Sequence, residues 1–428
     1  GNTKTNQPWQ MAFDKRTQTL WINTEMSTYT TQFDPATGAA RRFDLLPLDE
    51  NIYGSNPHGI FFDFDTHVTP RLWTAHRDAG GSQADKGATG IPHHHSNHED
   101  GEGHLTGSGR LSFVDVATDE LVTYDLAELG SAGIESSDGH AAFVDDGGTV
   151  WITEPHSNLI LEFDFHAGGS GMRTAHVTSH EPPPAMWLDS NGIADFSAHG
   201  IDVVVDERNG DRYVWLISEG GSGRIALLKP RAFVDESAGG ELKDVWITWD
   251  VPDEYEEIRG TFLKVDDNET PGIPDDDTVV AMFPVARSGS AGGSGTGGGG
   301  GGSGSGGGNP GGGARDHRGV IQVLSPGSVI LDPADFSKPS RISNHKVPTI
   351  PGSTVDLAAA NQPYFSRDGD LFFIDRNGSV GRIDRSAYTA DEIGNDGVIG
   401  IGPVGLDAAN TTIVAIAGQT AAGSTVEL

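Results

Sequence analysis

The sequence predicts an all-β fold, a seven-bladed β-propeller whose blades each hold four strands. The first observation is a unit of short strands that recurs at roughly 40-residue spacing, as propeller blades do. The second is an aromatic residue in the same place of the unit, which is tryptophan in four copies: Trp21, Trp73, Trp151 and Trp215. The third is the near absence of amphipathic helical periodicity, which argues against an α/β fold. A β-sandwich with coincidental repeats is the alternative, and the fixed position of the aromatic favours the propeller.

Each unit contains an apolar strand, an Asp-rich turn, an aromatic-centred strand and two further strands. The clear units open at Pro8, Asn56, Asp138, Ala198 and Asn361. A degenerate fifth unit lies between residues 251 and 347. The seventh is short, with strands at 402–406 and 412–416. It lacks one strand, which we expect residues 2–7 to supply, so that strands from both termini close the ring and protect the sheet edges.

We interpret residues 1–428 as one propeller domain with two insertions. Residues 78–109, inside the second blade, are rich in His and Gly and contain five histidines: His93, His94, His95, His98 and His104. Such a tract either binds a transition metal or forms a solvated loop. Residues 287–318, inside the fifth blade, are almost entirely Gly and Ser. This composition cannot bury a core, so we expect a flexible loop there.

The charge balance limits the classes of partner. The chain has 61 acidic and 28 basic residues, which gives a formal net charge of -33. We expect no nucleic-acid partner, because phosphate binding requires clustered Lys and Arg. An acidic surface attracts cations and keeps a protein soluble, which fits either a high-salt habitat or a divalent-cation binder.

Cysteine content, hydropathy and the first residue give expectations for where in the cell, or outside it, the protein is located. The chain has no cysteine, so it has neither disulfides nor thiolate metal sites. No apolar stretch is long enough for a membrane span. The chain begins at Gly1 without a methionine, which suggests a mature or trimmed product, and we expect an extracellular or periplasmic protein.

Polar side chains from different blades are expected to meet at one mouth of the central channel, because the first strand of every blade lines it. Three units carry a histidine at the same position of this strand: His58, His140 and His199. The second strands end in acids or histidine, among them Glu25, His76, Glu154 and Glu219. Carboxylates can hold a hard divalent cation, and an imidazole can act as a general base near neutral pH. The alternative is that these groups only hydrogen-bond water and neighbouring backbone.

Several of these motifs resemble the streptogramin B lyases, also called virginiamycin B lyases. The motifs are Pro-His-Gly-Ile at 57–60, Trp-Ile-Thr-Glu at 151–154 and the Gly-Arg-Ile strand endings. The family pattern has one histidine, then an acid-x-His pair in the next blade, then a glutamate fourteen residues later. Here His58 matches the first histidine, Asp138 and His140 match the pair, and Glu154 falls fourteen residues after His140. The family has Glu at the position of Asp138.

The resemblance implies a seven-bladed, magnesium-using enzyme that opens a cyclic depsipeptide by elimination at its ester. It implies that His58, His140 and Glu154 are catalytic, with His140 as the base, and that Asp138 and Glu154 bind the metal. Oxygen ligands favour Mg²⁺ or Ca²⁺ over zinc. We expect His199, Glu219, Glu25 and His76 to contact the substrate, a small molecule or an oligomer at the channel mouth.

Other functions remain open from the sequence. The chain could be a non-catalytic propeller that binds a protein partner through its loops. A calcium-dependent lactonase on a six-bladed propeller is disfavoured by the count of seven units. The acidic run Asp275, Asp276 and Asp277 either binds calcium or forms a solvated turn.

Overall fold

The structure is a computed structural model of the 428-residue chain. It describes residues 7–14, 16–25, 29–34, 36–45, 57–63, 70–76, 110–125, 139–154, 159–165, 175–183, 198–218, 224–235, 240–250, 262–268, 270, 272–274, 276–283, 320–325, 341–346, 360–365, 371–375, 379–383 and 411–415. Both predicted insertions lie outside these ranges. No helix long and apolar enough to cross a membrane occurs among the described residues.

The described residues form twenty-four strands in six four-stranded sheets, which we number as blades one to six. Blade one holds β1 (Gln7–Asp14), β2 (Thr19–Glu25), β3 (Tyr29–Phe33) and β4 (Ala40–Asp44). Blade two holds β5 (Pro57–Asp63), β6 (Arg71–His76), β7 (Arg110–Asp115) and β8 (Glu120–Asp125). Blade three holds β9 (Ala142–Val144), β10 (Val150–Glu154), β11 (Leu159–Asp164) and β12 (His176–His180).

The remaining three sheets follow the same plan. Blade four holds β13 (Ala198–Val205), β14 (Arg212–Ser218), β15 (Arg224–Asp235) and β16 (Glu241–Asp250). Blade five holds β17 (Phe262–Asp266), β18 (Thr278–Phe283), β19 (Val320–Ser325) and β20 (Arg341–Lys346). Blade six holds β21 (Ala360–Phe365), β22 (Leu371–Asp375), β23 (Ser379–Ile383) and β24 (Thr411–Ala415).

The arrangement of these sheets is that of a β-propeller. Within each blade, consecutive strands pair antiparallel in sequence order. The first strands contact one another from blade to blade, in the order β1, β5, β9, β13, β17 and β21. Sheets related in this way pack face to face around an axis lined by their first strands. The all-β propeller predicted from the sequence is therefore confirmed at this level.

The four tryptophans form the equivalent core layer that the repeat predicts. Trp21, Trp73, Trp151 and Trp215 are 0–2% exposed. They stand opposite equivalent residues of the first strands, namely Ala12, Phe61, Phe143 and Asp202. Each indole also packs against apolar residues of the following blade, as Trp73 does against Phe165 and Trp215 against Leu263. Large buried aromatics contribute much of the packing energy in such interfaces, so these residues join neighbouring blades.

Asp-rich turns connect the first and second strands, as the repeat also predicts. Asp145 is 1% exposed and accepts hydrogen bonds from the backbone N–H of Gly147 and Thr149. Its other oxygen accepts from Trp151 Nε1 at 3.0 Å and from Arg212 Nε of blade four at 2.6 Å. One carboxylate thus closes its turn, fixes the core tryptophan and binds the next blade.

The assignment of the seventh unit needs correction in one strand. The segment at 412–416 was assigned to blade seven, but Thr411–Ala415 is β24, the fourth strand of blade six. It pairs along the whole of β23, with Val414 opposite Val380. The long segment between these strands concealed the partnership, because blades one, two and four connect the same two strands by short turns. Residues 2–6 and 402–406 lie outside the described residues, and so does any strand that would close a seventh blade.

Candidate functional site

The first strands of several blades carry a β-bulge at the end where the predicted site lies. In β5, His58 and Gly59 stand opposite the single residue Ala75, and in β13 His199 is the extra residue beside Ala198. Blade three shows the same irregularity just before β9. There His140 N donates to Thr153 O at 2.9 Å, while Thr153 N donates to Ala141 O at 3.1 Å. Bulges redirect side chains and occur often beside active sites, so one local device sets the positions of all three histidines.

His140 and His199 meet side by side. Their ring centroids are 3.7 Å apart with an interplanar angle of 59°, and the side chains belong to neighbouring blades. Both residues are almost fully buried, at 2% and 1% exposed. The ring of Phe262, the first residue of β17, meets His199 edge-on at 5.8 Å. Blades three, four and five therefore contribute one continuous row of rings.

Thr153 holds this pair in place. Its hydroxyl donates to the carbonyl oxygen of His199 at 3.3 Å and accepts from the backbone N–H of Ala141 at 3.0 Å. One buried side chain therefore ties the backbone beside His140 to the backbone of His199. A threonine in a strand is ordinarily explained by β-propensity. Its position inside the Trp-Ile-Thr-Glu motif was the only sequence signal of this role.

The backbone of β5 brings His58 next to the same region, although the His58 side chain lies outside the described part of the structure. Gly59 approaches blade three so closely that a Cβ there would lie 2.6 Å from Ala142 N. Blade one fixes this bulge from the other side. Asn23 Nδ2 donates to Gly59 O at 3.1 Å, and Gln10 Oε1 accepts from Ile60 N at 2.8 Å. Gln10 thereby helps to secure the strand that carries His58.

Only some of the other predicted site residues have side chains that the structure describes. Glu154 ends β10 and His76 ends β6, and both are 0% exposed. Gly139, next to His140, lies within van der Waals distance of the backbone at His76, since a Cβ there would be 3.6 Å from His76 O. Asp138, Glu219 and the side chain of Glu25 lie outside the described residues. The predicted convergence of His58, His140 and Glu154 thus stays a prediction, and the contact between His140 and His199 is what the structure adds.

A magnesium or calcium ion was predicted at Asp138 and Glu154. These cations prefer oxygen ligands, and Asp138, one of the two predicted ligands, lies outside the described residues. Across the described ranges, no group of three or more His, Asp or Glu side chains is arranged to hold a metal ion. The ion at Asp138 and Glu154 therefore stays a prediction, and we derive no chemical step through it.

Comparison with known proteins gives matches of structure and none of sequence. No protein-family model matches the chain, and no curated protein sequence matches it. A catalytically inactive virginiamycin B lyase from Staphylococcus aureus, solved with quinupristin, is 10% identical with a TM-score of 0.46, covering 90% of this chain and 83% of that one. A protein from Lactobacillus plantarum is 10% identical with a TM-score of 0.49, covering 89% and 82%.

Another similar structure is a propeller domain that is not named as a lyase. The β-propeller domain of Cps50 (Swd1) from Myceliophteria thermophila is 9% identical with a TM-score of 0.47, covering 90% of this chain and 85% of that one. The assignment of the fold rests on the six sheets and the order of their first strands.

Proposed function

We propose that the protein is a carbon–oxygen lyase that works by proton abstraction and elimination at the His140–His199 pair, on a seven-bladed ring closed by strands of both termini. The observation that carries this proposal is the contact of two buried imidazoles, 3.7 Å between ring centroids, on bulged strands of adjacent blades. Core packing of a propeller requires only apolar side chains at such positions. Two imidazoles in contact instead supply groups that exchange protons near neutral pH.

The chemistry follows from the pair and its neighbour. His140 takes the proton from the carbon next to a substrate carbonyl, and the electron pair of that C–H bond forms a carbon–carbon double bond. The C–O bond on the adjacent carbon breaks, and the leaving oxygen takes a proton from His58, which has the equivalent position in blade two. His199 stays neutral while His140 carries the proton, because two cationic imidazoles at this distance would repel each other. Thr153 keeps both backbones in position during this exchange.

The substrate class that suits this reaction contains an ester whose oxygen lies β to a carbonyl, as in a cyclic depsipeptide. The resemblance described above supports this choice of first probe. A magnesium or calcium ion at Asp138 and Glu154 stays a prediction, and the elimination is written without it.

The mass of the product tests the reaction type. Elimination opens a cyclic ester without changing its mass, whereas hydrolysis adds one water. We expect the full-length protein to convert a streptogramin B-type depsipeptide into a ring-opened product of unchanged mass, with an absorbance change from the new double bond. A product heavier by one water would exclude the lyase and indicate a hydrolase. No conversion of this probe or of other β-acyloxy carbonyl esters would exclude the proposal.

A non-catalytic binding module is the second candidate, and burial favours it. His140, His199, His76 and Glu154 are 0–2% exposed, so little imidazole or carboxylate surface is open to a ligand. In that case the histidines only organise the bulges, and partners bind through loops. Replacing His140 by Ala would then leave binding of any captured partner unchanged and lower only stability, whereas the lyase loses turnover.

A further inference from the structure

The connection between β17 and β18 of blade five holds a buried carboxylate without a visible counter-charge. Asp277 is 1% exposed, and neither of its carboxylate oxygens has a hydrogen-bond partner among the described residues. An ionised carboxylate is costly to bury, and buried charges are normally paired or bound to a metal ion. We therefore expect a cation beside Asp277, and the described residues of the chain do not supply one.

Four further carboxylates act electrostatically on Asp277. Burial, and then the negative charges of Asp276, Asp267, Asp202 and Asp266, raise its pKa to about 8. Like charges nearby disfavour the ionised form of a carboxyl, and a bound cation reverses that effect. The concentration of negative charge is thus a second reason to expect a cation, in addition to the unpartnered oxygens.

Lys264, the basic residue of β17, is engaged elsewhere. Lys264 Nζ lies 3.2 Å from Asp202 Oδ2, which also accepts from Val265 N at 3.0 Å. Asp202 Oδ1 accepts from Val203 N at 3.0 Å. Asp202 and Lys264 thus neutralise each other across blades four and five, and Asp277 gains no counter-charge from this pair.

The loop around Asp277 has a fixed frame. Asn268 adopts a left-handed conformation with φ of 51°, and its Nδ2 donates to Asp276 O and to Thr278 Oγ1. Thr270 Oγ1 bonds to both carboxylate oxygens of Asp276, at 2.8 and 2.9 Å, and to Asp267 O at 2.8 Å. These bonds hold the two sides of the loop together while the Asp267 and Asp276 side chains face solvent.

We propose that this loop binds one calcium ion, with Asp277 as the inner ligand and Asp276 and Asp267 closing over it. Calcium suits the loop because it accepts six to eight oxygen ligands in irregular geometry, backbone carbonyls and water included. In the ion-free arrangement no three acidic side chains of the described loop residues already stand at metal-binding distance. The exposed carboxylates rotate inward when the ion binds.

This site is distinct from the histidine site. The ring of Phe262 contacts His199 at the start of β17, whereas the loop follows Asp266 at the end of that five-residue strand. A strand rises by about 3.3 Å per residue, so the two places are roughly 13–16 Å apart. Loss of calcium binding in the loop and loss of turnover at the histidines are therefore separable.

The test is calorimetric titration of the chelator-treated full chain with calcium chloride, with melting temperatures measured in parallel. We expect the parent to bind calcium and to melt at a higher temperature in its presence. Asp277→Asn should lose one bound calcium per chain and the associated rise in melting temperature. In chelator the variant should be at least as stable as the parent, because the amide carries no charge to bury.

Two control variants identify the site. Asp119→Asn removes an exposed turn carboxylate that pairs with Arg41, and it should bind calcium as the parent does. Glu154→Gln changes the predicted metal ligand at the histidine site and should also retain the loop calcium. If Asp277→Asn does not fold, Asp276→Asn should weaken calcium binding while circular dichroism stays native. Equal calcium binding by the parent and Asp277→Asn, or none by the folded parent, would overturn the proposal.

Discussion

Gly59 lies where the backbone of blade three leaves no room for a side chain. A Cβ at Gly59 would lie 2.6–2.9 Å from backbone atoms of Ala141 and Ala142, and backbone cannot move aside as a side chain can. We expect Gly59→Ala to cost about 1–3 kcal/mol, the usual cost of overpacking, in the free energy of unfolding. Denaturant unfolding followed by fluorescence measures this difference.

Gly139 provides the matched control for that substitution. It also lies next to a site histidine, but a Cβ there would meet its neighbours at 3.4–3.6 Å, which is ordinary contact. We expect Gly139→Ala to stay close to the parent in stability. Equal destabilisation by both alanines would contradict the tight approach of β5 to blade three.

The site residues differ in how far sequence could predict them. The three histidines were found because they occupy one position of a repeat, and the bulges at that position explain why. The contact between His140 and His199 was not predicted, since ring orientation depends on the bulge geometry of two blades at once. The hydrogen bonds that Asn23 and Gln10 form with blade two were also missed. Each involves a backbone group of the other blade, and a backbone group gives no signal in the sequence.

Between blades three and four, a charged cluster joins the outer strands. His180 of β12, 1% exposed, bonds Glu162 Oε2 at 3.0 Å and Asp244 Oδ2 at 2.8 Å, the latter from blade four. Arg231 of blade four donates to Glu162 Oε1 at 2.9 Å. Burial alone would lower the pKa of His180, but the bonds to Asp244 and Glu162 outweigh it and raise the pKa above its usual value.

This cluster makes the stability of the blade interface depend on pH. Because the pKa of His180 is raised on folding, its contribution is complete below the unfolded value of about 6.5 and is lost as the pH rises through the folded value. Burial would raise the pKa of Glu162 and of Asp244, yet hydrogen bonds from His180, and for Glu162 also from Arg231, lower both. Their contribution is present above about 4 and is lost in acid.

Comparing the parent with His180→Gln over pH tests the cluster. The difference in melting temperature should be largest between pH 4.5 and 6.5, the window in which the imidazole is charged and both carboxylates are ionised. It should shrink at pH 9. His176→Gln, an exposed histidine of the same strand, serves as the control. A difference that stays constant from pH 5 to 9 would show that His180 contributes only packing.

At the scale of strands and blades, the repeat predicted most of what is described. The tryptophan position and the Asp turns recur because each blade must bury the same face against the next. The partner of β23 was missed because pairing across a long connection leaves no local pattern. The charged cluster around His180 was also missed, since it joins strands that are not adjacent in sequence.

For the whole molecule, the central claim is that blades two, three and four bring histidines together for proton transfer. Six blades are described, and a seventh, closed by strands of both termini, is predicted for residues outside the described ranges. The first strands of blades two, three and four are neighbours along the ring, and His140 and His199 are in contact there. The rate enhancement of such a site cannot be divided among its residues, since groups that act as a unit show non-additive losses of rate when they are replaced.

The most direct test is a double-mutant cycle on the rate at which the depsipeptide ring is opened. The readout is the ring-opened product of unchanged mass, and circular dichroism checks that each variant is folded. We expect His140→Ala to lower kcat by about 10²–10⁴, the usual loss for a general base. His199→Ala should lower kcat less, and the double variant should be no slower than His140→Ala alone, because His199 acts through His140. The exposed control His176→Ala should leave the rate unchanged. Parental turnover in a folded His140→Ala protein would contradict the account.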